Sequence, residues 1–333
     1  MHSLIMRSKD SEALTSEHWQ APLASVTASI ESRASATMPL ARVQSLGMRV
    51  CDDMGDGCFV PYAAVPLNQS IPIHGATGML LEHGHWADEH TLAPLFVEAL
   101  RGSCARPTGE HKIVLDVGAA IGLYSLYFAR RGCRVHAVDP LPLNALALES
   151  AALHNRVSSM ITVYRSALGT KSGLASLRYS VHHTDDAHNT LTSSSRPLNK
   201  GGANPTEWRQ TRTFALSLDA LVQRNRIGAT SAGLSVGRGT IDLLKLDASG
   251  SEVDVLDSGP RTLRRVGWLL MTIDPSAMRR GDPMRLRVLL EHHGFAVANA
   301  WQLESWNWND VLRRGRRIDT ALFRSNHTAP RLV

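Results

Sequence analysis

The sequence lacks several features that would fix its class at once. Nowhere in its 333 residues does an apolar run approach the roughly 18 residues of a transmembrane helix, so we expect no membrane span. Roughly the first 30 residues lack the apolar core of a secretory signal. The four cysteines form no C-x-x-C pair and match no zinc spacing, which argues against the common zinc folds; they are Cys51, Cys58, Cys104 and Cys133. We expect most of them to be free, reduced thiols.

The chain also lacks a continuous basic stripe, although its formal net charge is +6. Its arginines fall in short clusters, such as Arg130-Arg131 and Arg313-Arg314, and no RNA-binding signature is present. These patterns make nucleic acid an improbable partner. The N-terminus is rich in Ser, Ala and Arg, as in organellar transit peptides, but it also contains acids, which such peptides avoid. We therefore expect a cytoplasmic protein, with organellar import left open.

The most informative segment runs from Ile113 to Asp139. Ile113 to Val117 is a short apolar run typical of a strand buried on both faces of a parallel sheet. Glycines follow it, and helical spacing of apolar residues extends from Leu123 to Arg131. Arg134 to Val138 then predicts a second strand. The whole segment reads as half of a nucleotide-binding site.

The glycine spacing indicates which nucleotide binds there. A dinucleotide site needs G-x-G-x-x-G, whereas here Ala120 stands between Gly118 and Gly122. Asp116 precedes the first glycine by two positions, where its charge would repel a pyrophosphate but suit an ammonium group. S-adenosylmethionine carries such a group and no phosphate. We expect Gly118 to lie against this cofactor, because glycine leaves room for it.

Asp139 ends the second strand, about 20 residues past the first glycine. This is the separation at which an acid in such a unit reaches the hydroxyls of a ribose. The alternative is that Asp139 only caps the next helix and Asp116 only caps the turn. Further along, strands at Ile241 to Leu246 and Trp268 to Ile273 are also followed by acids, Asp247 and Asp274. Acids at the carboxyl ends of neighbouring strands would surround a cationic ligand.

Strands and helices alternate from about residue 88 onward, which predicts an α/β fold with a parallel sheet. We divide the chain into an N-terminal extension, 1–69, and a catalytic domain, 70–333. The extension includes a possible hairpin whose turn lies between Cys51 and Cys58, so a disulfide is conceivable there in an oxidising compartment. The polar segment from Ser180 to Arg212 interrupts the alternation and is long enough for a functional lid or a disordered insertion.

Several motifs in the same order resemble the FkbM-type S-adenosylmethionine-dependent methyltransferases, from roughly Gly84 to Phe323. They are LDVGAAIGLYSLYFA, VDPLPLNALALESAALHN, SALGTKSGLASL, LSLDALV, IDLLKLDASGSEVDVLDSG, LLMTIDP and LLEHHGF. The resemblance implies a Rossmann-like methyltransferase fold: a mostly parallel seven-stranded sheet with an antiparallel edge strand and helices on both faces. It also implies that Asp116, Gly118, Ala120, Gly122, Asp139 and Ala167 bind the cofactor.

The chain departs from this family at two acids. Ser249 replaces the glutamate of the Lys-x-Asp-x-Glu-Gly motif, and Asp274 stands where the acid is usually one methylene longer. An altered or inactive acceptor site is therefore an open alternative.

Methyl transfer to a hydroxyl needs a base to remove its proton. The candidates are Asp247 and a histidine of the polar segment, for which we take His183 over His182 and His188. Lys245 is a weaker candidate.

The sequence thus predicts an S-adenosylmethionine-dependent methyltransferase. The resembled family suggests O-methylation of a hydroxyl on a sugar, lipid or other metabolite, so the expected partner is a small-molecule or glycan acceptor. One alternative is a catalytically degenerate methyltransferase fold that only binds. A less favoured one is an NAD-dependent oxidoreductase. The sequence predicts no oligomeric state.

Overall fold

The structure is a computed structural model. It describes residues 41–45, 59–66, 89–180, 190–192, 208–229, 241–275, 278–279, 281–299, 308 and 318–326.

Strands and helices alternate along most of this described part. The strands are Ala41–Ser45 (β1), Tyr62–Pro66 (β2), Ile113–Val117 (β3), Arg134–Val138 (β4), Ile161–Tyr164 (β5), Ala167–Leu168 (β6), Gly173–Ser180 (β7), Thr190–Thr192 (β8), Trp208–Leu216 (β9), Ile241–Leu246 (β10), Val266–Ile273 (β11), Phe295–Asn299 (β12) and Ile318–Ser325 (β13). The helices are Glu89–Leu100 (α1), Leu123–Arg130 (α2), Pro142–His154 (α3), Leu218–Arg224 (α4), Glu252–Asp257 (α5), Pro260–Leu263 (α6) and Asp282–His292 (α7).

Seven strands form the central sheet in the order β12-β13-β11-β10-β3-β4-β5. Strands β3, β4, β5, β10 and β11 pair in parallel, and β13 runs antiparallel to both of its neighbours. The predicted Rossmann-like fold, a mostly parallel seven-stranded sheet with an antiparallel edge strand, is confirmed. The structure adds that the reversed strand is second from the end.

Hydrophobic layers cover both faces of this sheet, as predicted. Successive residues of β3 point to opposite sides: Val114 joins the cluster that includes α1, α2 and α3, while Leu115 joins the cluster that includes α4 to α7. Both side chains are fully buried. A strand buried on both faces has no polar side, which explains the nearly continuous apolar run in the sequence.

A second sheet of four strands, in the order β6-β9-β7-β8, follows β5. Strands β7 and β9 pair antiparallel over eight positions, from Gly173 opposite Ala215 to Ser180 opposite Trp208. The segment predicted as a lid or insertion between Ser180 and Arg212 therefore begins and ends as paired strand. Its three histidines, His182, His183 and His188, lie outside the described residues.

Strands β1 and β2 form an antiparallel pair, and the proposed hairpin turn between Cys51 and Cys58 lies outside the described residues. The segment before β2 is fixed to the end of α3. Asn155 accepts a hydrogen bond from Val60 N through Oδ1 and donates one to Val60 O through Nδ2, both at 2.9 Å. Phe59, Val60 and Tyr62 belong to the same hydrophobic cluster as α1 to α3. The division at residue 69 stays a prediction, but it does not separate two hydrophobic cores.

Cys104 and Cys133 form a disulfide, so the expectation of free thiols is wrong for this pair. Cys104 follows α1 and Cys133 immediately precedes β4, and both are buried. They are 29 residues apart in sequence, and only the packing of α1 beside α2 brings them together. Spacing in the sequence gave no sign of the bond, because it matches no known motif.

Among the described helices, none is long and apolar enough to cross a membrane.

We expect the double variant Cys104→Ala/Cys133→Ala to lose stability. A disulfide that closes a loop of this length lowers the conformational entropy of the unfolded chain, and this stabilises the folded protein by about 3 to 4 kcal/mol. The free energy of unfolding, measured by urea denaturation without reductant, should fall by that amount. Wild type in reductant is the control and should fall similarly. Equal urea midpoints for the variant and the oxidised wild type would show that the bond does not form in solution.

Candidate active site

A cleft opens at the carboxyl ends of β3, β4 and β10, where strand ends of an α/β sheet commonly bind ligands. It brings together five of the predicted site residues: Gly118, Ala120, Asp139, Ala167 and Asp247. Ser249 also lines it, and Leu177 of β7 closes one side, so the second sheet contributes to the wall. Asp116, Gly122 and Asp274 do not line this cleft, and His183 lies outside the described residues.

Asp139 forms part of the wall and also holds the glycine turn in place. Its Oδ2 accepts a hydrogen bond from Ala120 N at 2.9 Å, and its Oδ1 accepts one from Leu141 N at 2.9 Å. Asn144 of α3 donates to the same Oδ1 at 3.3 Å. Burial raises the pKa of Asp139 to about 7, against the lowering effect of these hydrogen bonds. Asp139 therefore bonds the backbone that leads into α3, although Leu141 and not Asp139 is the N-cap residue of that helix, and Asp139 also lines the cleft.

Asp116 is placed differently from the prediction. Its carboxylate is fully buried; Oδ2 accepts a hydrogen bond from Ser125 Oγ at 2.6 Å, and Oδ1 lies 3.3 Å from Lys245 Nζ. Both partners are internal, so this carboxylate does not reach the cleft to meet an ammonium group. Asp116 lies within β3, and its side chain is on the face of the sheet that α1 to α3 cover, where it bonds to Ser125 of α2 instead of lining the cleft as we expected.

Lys245 is the partner that the sequence argument undervalued. Its Nζ donates to Gly118 O at 2.6 Å and lies 5.4 Å from the centre of the Tyr124 ring. Asp116 and Lys245 are register partners on the adjacent parallel strands β3 and β10, which places their side chains on the same face. A lysine inside the apolar run IDLLKL was the available signal, because a buried charge needs a partner.

Packing inside the protein requires a glycine at position 118. Its φ is +73°, and a Cβ built there would lie 1.8 Å from the backbone oxygen of Asp247. The close approach of β3 and β10 at their ends thus excludes any side chain. Gly122, with φ of +97°, would place a Cβ 2.2 Å from Leu148 Cδ1, so it serves the packing of α2 on α3.

Ala120 occupies the position where a dinucleotide site would have its second glycine. Its φ is 48°, a left-handed conformation that glycine adopts more readily than alanine. The backbone therefore keeps the shape of a glycine turn even though the side chain is a methyl group.

Four amide groups of this turn are already bonded within the protein. Gly118 N and Ala119 N donate to Val138 O at 2.9 and 3.1 Å, and Gly122 N donates to Ala119 O at 2.9 Å. Ala120 N donates to Asp139, as described above. A pyrophosphate site needs free amides at this turn. Because these four amides already donate to acceptors within the protein, the turn is poorly suited to a dinucleotide.

Asp247 follows β10 directly, and its backbone N donates to Val117 O at 3.0 Å. Asp247 lines the cleft at the end of β10 and Asp139 lines it at the end of β4, with β3 and the glycine turn between them. Glu252, which the sequence argument missed, lies behind the turn that follows Asp247, where its Oε1 accepts hydrogen bonds from Ala248 N and Gly250 N. Glu252 is only 3% exposed. Burial raises its pKa to about 7, and the charge of Asp247 adds to this effect.

Asp219, in the LSLDALV motif, has a structural role. Its Oδ1 accepts from Thr262 N and Thr262 Oγ1, both at 2.7 Å, and its Oδ2 accepts from Arg261 N at 3.1 Å. It therefore caps the first turn of α6, remote from the cleft.

Comparison with known proteins gives one family. The profile described as "Methyltransferase FkbM domain" matches residues 116–307. The AMB antimetabolite synthetase AmbE of Pseudomonas aeruginosa is 27% identical over 231 residues, which are 63% of this chain and 11% of AmbE. The chain thus spans about a tenth of the length of this relative.

Solved methyltransferase structures are similar to this chain at low identity. The methyltransferase FkbM from Methylobacillus flagellatus is 17% identical, with a TM-score of 0.36 over 64% of this chain and 43% of that one. Magnesium protoporphyrin IX methyltransferase (ChlM) from Synechocystis, solved with bound SAM, is 12% identical, with a TM-score of 0.37 over 71% of this chain and 78% of that one.

We expect Gly118→Ala to destabilise the protein more than Gly132→Ala does. Both glycines have positive φ, but a Cβ at Gly132 meets nothing within 4 Å. Gly132→Ala should cost about 1 to 2 kcal/mol from the left-handed backbone alone. Gly118→Ala adds a collision with Asp247 O that should cost about 1 to 3 kcal/mol more. Urea denaturation measures both, and equal losses would show that the strand ends separate without penalty.

We also expect the ionisation of Asp139 to affect stability. Its folded pKa of about 7 lies above the ordinary value of 3.8, so the folded state holds this proton more tightly. The resulting stabilisation is complete below about pH 4 and is lost as the pH rises to about 7. The free energy of unfolding of Asp139→Asn should therefore fall less steeply over this range than that of wild type. Glu291→Gln, at an exposed acid, should keep the wild-type slope. An unchanged slope in Asp139→Asn would contradict the raised pKa.

Proposed function

The chain belongs to the FkbM methyltransferase family, and on that premise we propose that it transfers a methyl group from S-adenosylmethionine to a hydroxyl group of a small molecule. The class of acceptor that we propose is a sugar, lipid or other hydroxylated metabolite. The similarity to part of an antimetabolite synthetase supports an acceptor from small-molecule metabolism, without naming one.

One observation carries this proposal: the charge of the described cleft. Its lining includes two carboxylates, Asp139 and Asp247, and no Lys, Arg or His. Together with the glycine-turn amides already bonded internally, this lining suits a cationic ligand without phosphates. S-adenosylmethionine has that charge and that composition, whereas NAD does not. The residues present therefore fit this cofactor.

In this proposal Asp139 accepts hydrogen bonds from the ribose hydroxyls, and the backbone at Gly118 and Ala120 lies against the cofactor. Ala167 and Leu177 contribute the apolar wall on the side of the second sheet. Bound S-adenosylmethionine would supply a methyl group made electrophilic by its sulfonium. The protein then needs mainly to hold the acceptor oxygen in line with that methyl group.

Asp247 is the residue that we propose as the base. It borders the cleft on the side of β10, away from Asp139, and its carboxylate can accept the hydroxyl proton as the oxygen bonds to the methyl group. His183 stays a second candidate from the sequence. Lys245 does not fit this role, because its ammonium is held beneath the turn by Asp116 and Gly118 O.

A second candidate function is binding without catalysis. It is favoured by Ser249, which lines the cleft at the position where the family has a glutamate. Calorimetry with S-adenosylmethionine, S-adenosylhomocysteine and NAD tests the cofactor. Release of S-adenosylhomocysteine with a panel of sugars, hydroxylated lipids and phenols tests catalysis. Binding without release on any member would favour the second candidate, and tight binding of NAD alone would reject both.

We expect Asp247→Asn to lower turnover by roughly 10² to 10⁴, because the amide keeps the shape but cannot accept the proton. The dissociation constant of S-adenosylhomocysteine should stay within about threefold of wild type, since a threefold change is under 1 kcal/mol. Asp257→Asn, on the surface of α5, is the control and should match wild type in both measurements. Full turnover in Asp247→Asn would assign the proton to another base.

A further inference from the structure

The turn that joins β10 to α5 has a strained backbone. It runs from Asp247 to Ser251 and contains two successive left-handed residues, Ser249 with φ of 52° and Gly250 with φ of 92°. Glycine adopts this conformation freely, but serine does so at a cost. Such a conformation persists only where surrounding groups hold it.

Glu252 is the group that holds this turn. Its Oε1 accepts hydrogen bonds from Ala248 N at 2.9 Å and from Gly250 N at 3.1 Å. These two amides lie on either side of Ser249, so one oxygen fixes the backbone before and after the left-handed serine. Hydrogen bonds to a carboxylate are about twice as strong as those between neutral groups.

The turn that Glu252 holds forms part of the cleft. Asp247, Ala248, Ser249 and Ser251 all line it. The start of the turn is fixed separately, by the close contact of Asp247 O with Gly118 and by the hydrogen bond from Asp247 N to Val117 O. A change at Glu252 should therefore displace the middle of the turn and leave the glycine turn and Asp139 in place.

The charge state of Glu252 should govern how firmly it holds the turn. Burial, with a further contribution from the charge of Asp247, raises its pKa to about 7. The other acids of α5 are paired away from this position: Asp254 with Arg279, and Asp257 with Arg285 at 3.2 Å. An ionised carboxylate accepts hydrogen bonds more strongly than a carboxylic acid does. The two hydrogen bonds from the turn to Glu252 should therefore strengthen as the pH rises through this pKa.

We propose that Glu252 is a positioning residue for methyl transfer, holding the turn 247–251 so that Asp247 and Ser249 face the acceptor. This inference rests on the proposed function. Glu252 acts through the backbone of the turn and does not touch the acceptor.

Two substitutions separate this role from general support of the fold. Glu252→Gln keeps an oxygen that can accept from the two amides but removes the charge, whereas Glu252→Ala removes the acceptor altogether. Asp254→Asn, on the same helix and paired outward with Arg279, is the matched control. Each protein is assayed for S-adenosylhomocysteine affinity, for release of S-adenosylhomocysteine from S-adenosylmethionine with the acceptor panel, and for amide hydrogen exchange.

In Glu252→Ala we expect exchange at Ala248 N and Gly250 N to rise about tenfold or more, because opening these amides no longer breaks a hydrogen bond. Turnover should fall about 10- to 100-fold, the range in which a small misplacement of reacting groups acts. Affinity for S-adenosylhomocysteine should stay within about threefold of wild type. Glu252→Gln should protect both amides and recover most of the turnover. We expect wild-type turnover to rise as the pH passes about 7, where Glu252 ionises, and Glu252→Gln should lack this rise.

The outcomes that overturn the proposal are distinct. Wild-type turnover in Glu252→Ala, or equal losses in Glu252→Ala and Asp254→Asn, would reject the positioning role alone. A parallel loss of turnover and of S-adenosylhomocysteine affinity would show that Glu252 supports the whole fold instead. A wild type that binds no S-adenosylmethionine would reject the proposed function first, and the positioning role with it.

Discussion

The buried ion pair between Asp116 and Lys245 is the interaction on which the rest of the site depends. It joins the two central strands, β3 and β10. The Lys245 ammonium also fixes the glycine turn, because it donates a hydrogen bond to Gly118 O. The side chains are 0% and 8% exposed. Removing one partner of such a pair leaves an unpaired buried charge, which typically costs about 3 to 5 kcal/mol. The pair thus fixes where the two strand ends meet, and the cleft opens at that point.

This pair also divides the acids of the strand ends into two groups. Asp116 is neutralised inside the protein by Lys245 and satisfied by Ser125, so it contributes little charge to the cleft. Asp139 and Asp247 remain at its wall, with Glu252 behind it. Carboxyl groups on both sides of the glycine turn suit a cation, because a nearby positive charge favours their ionised form. The selectivity that we propose for a sulfonium therefore comes from how these acids are distributed, not from their number.

Backbone geometry constrains the site as strongly as charge does. Gly118 is glycine because Asp247 O leaves no room for a side chain, and the turn at Ser249 keeps its shape because Glu252 accepts its amides. The two constraints meet at Asp247, whose backbone N donates to Val117 O and whose backbone O lies against Gly118. The residue also lines the cleft. The backbone of the residue that we propose as the base is therefore fixed by β3.

The sequence by itself determined the alternation of strands and helices, because apolar runs and their spacing follow from burial on two faces. The seven-stranded sheet was expected from the resemblance to a family, and the second sheet was not predicted. The sequence also located Gly118, Asp139 and Asp247, since strand ends of one sheet meet at one edge. Only the tertiary structure decided three features: the pairing of Asp116 with Lys245, the Cys104–Cys133 disulfide, and the hydrogen bonds from the turn 247–251 to Glu252. The first two depend on contacts between segments far apart in the chain. The third depends on a left-handed backbone at a serine, which local sequence preference argues against.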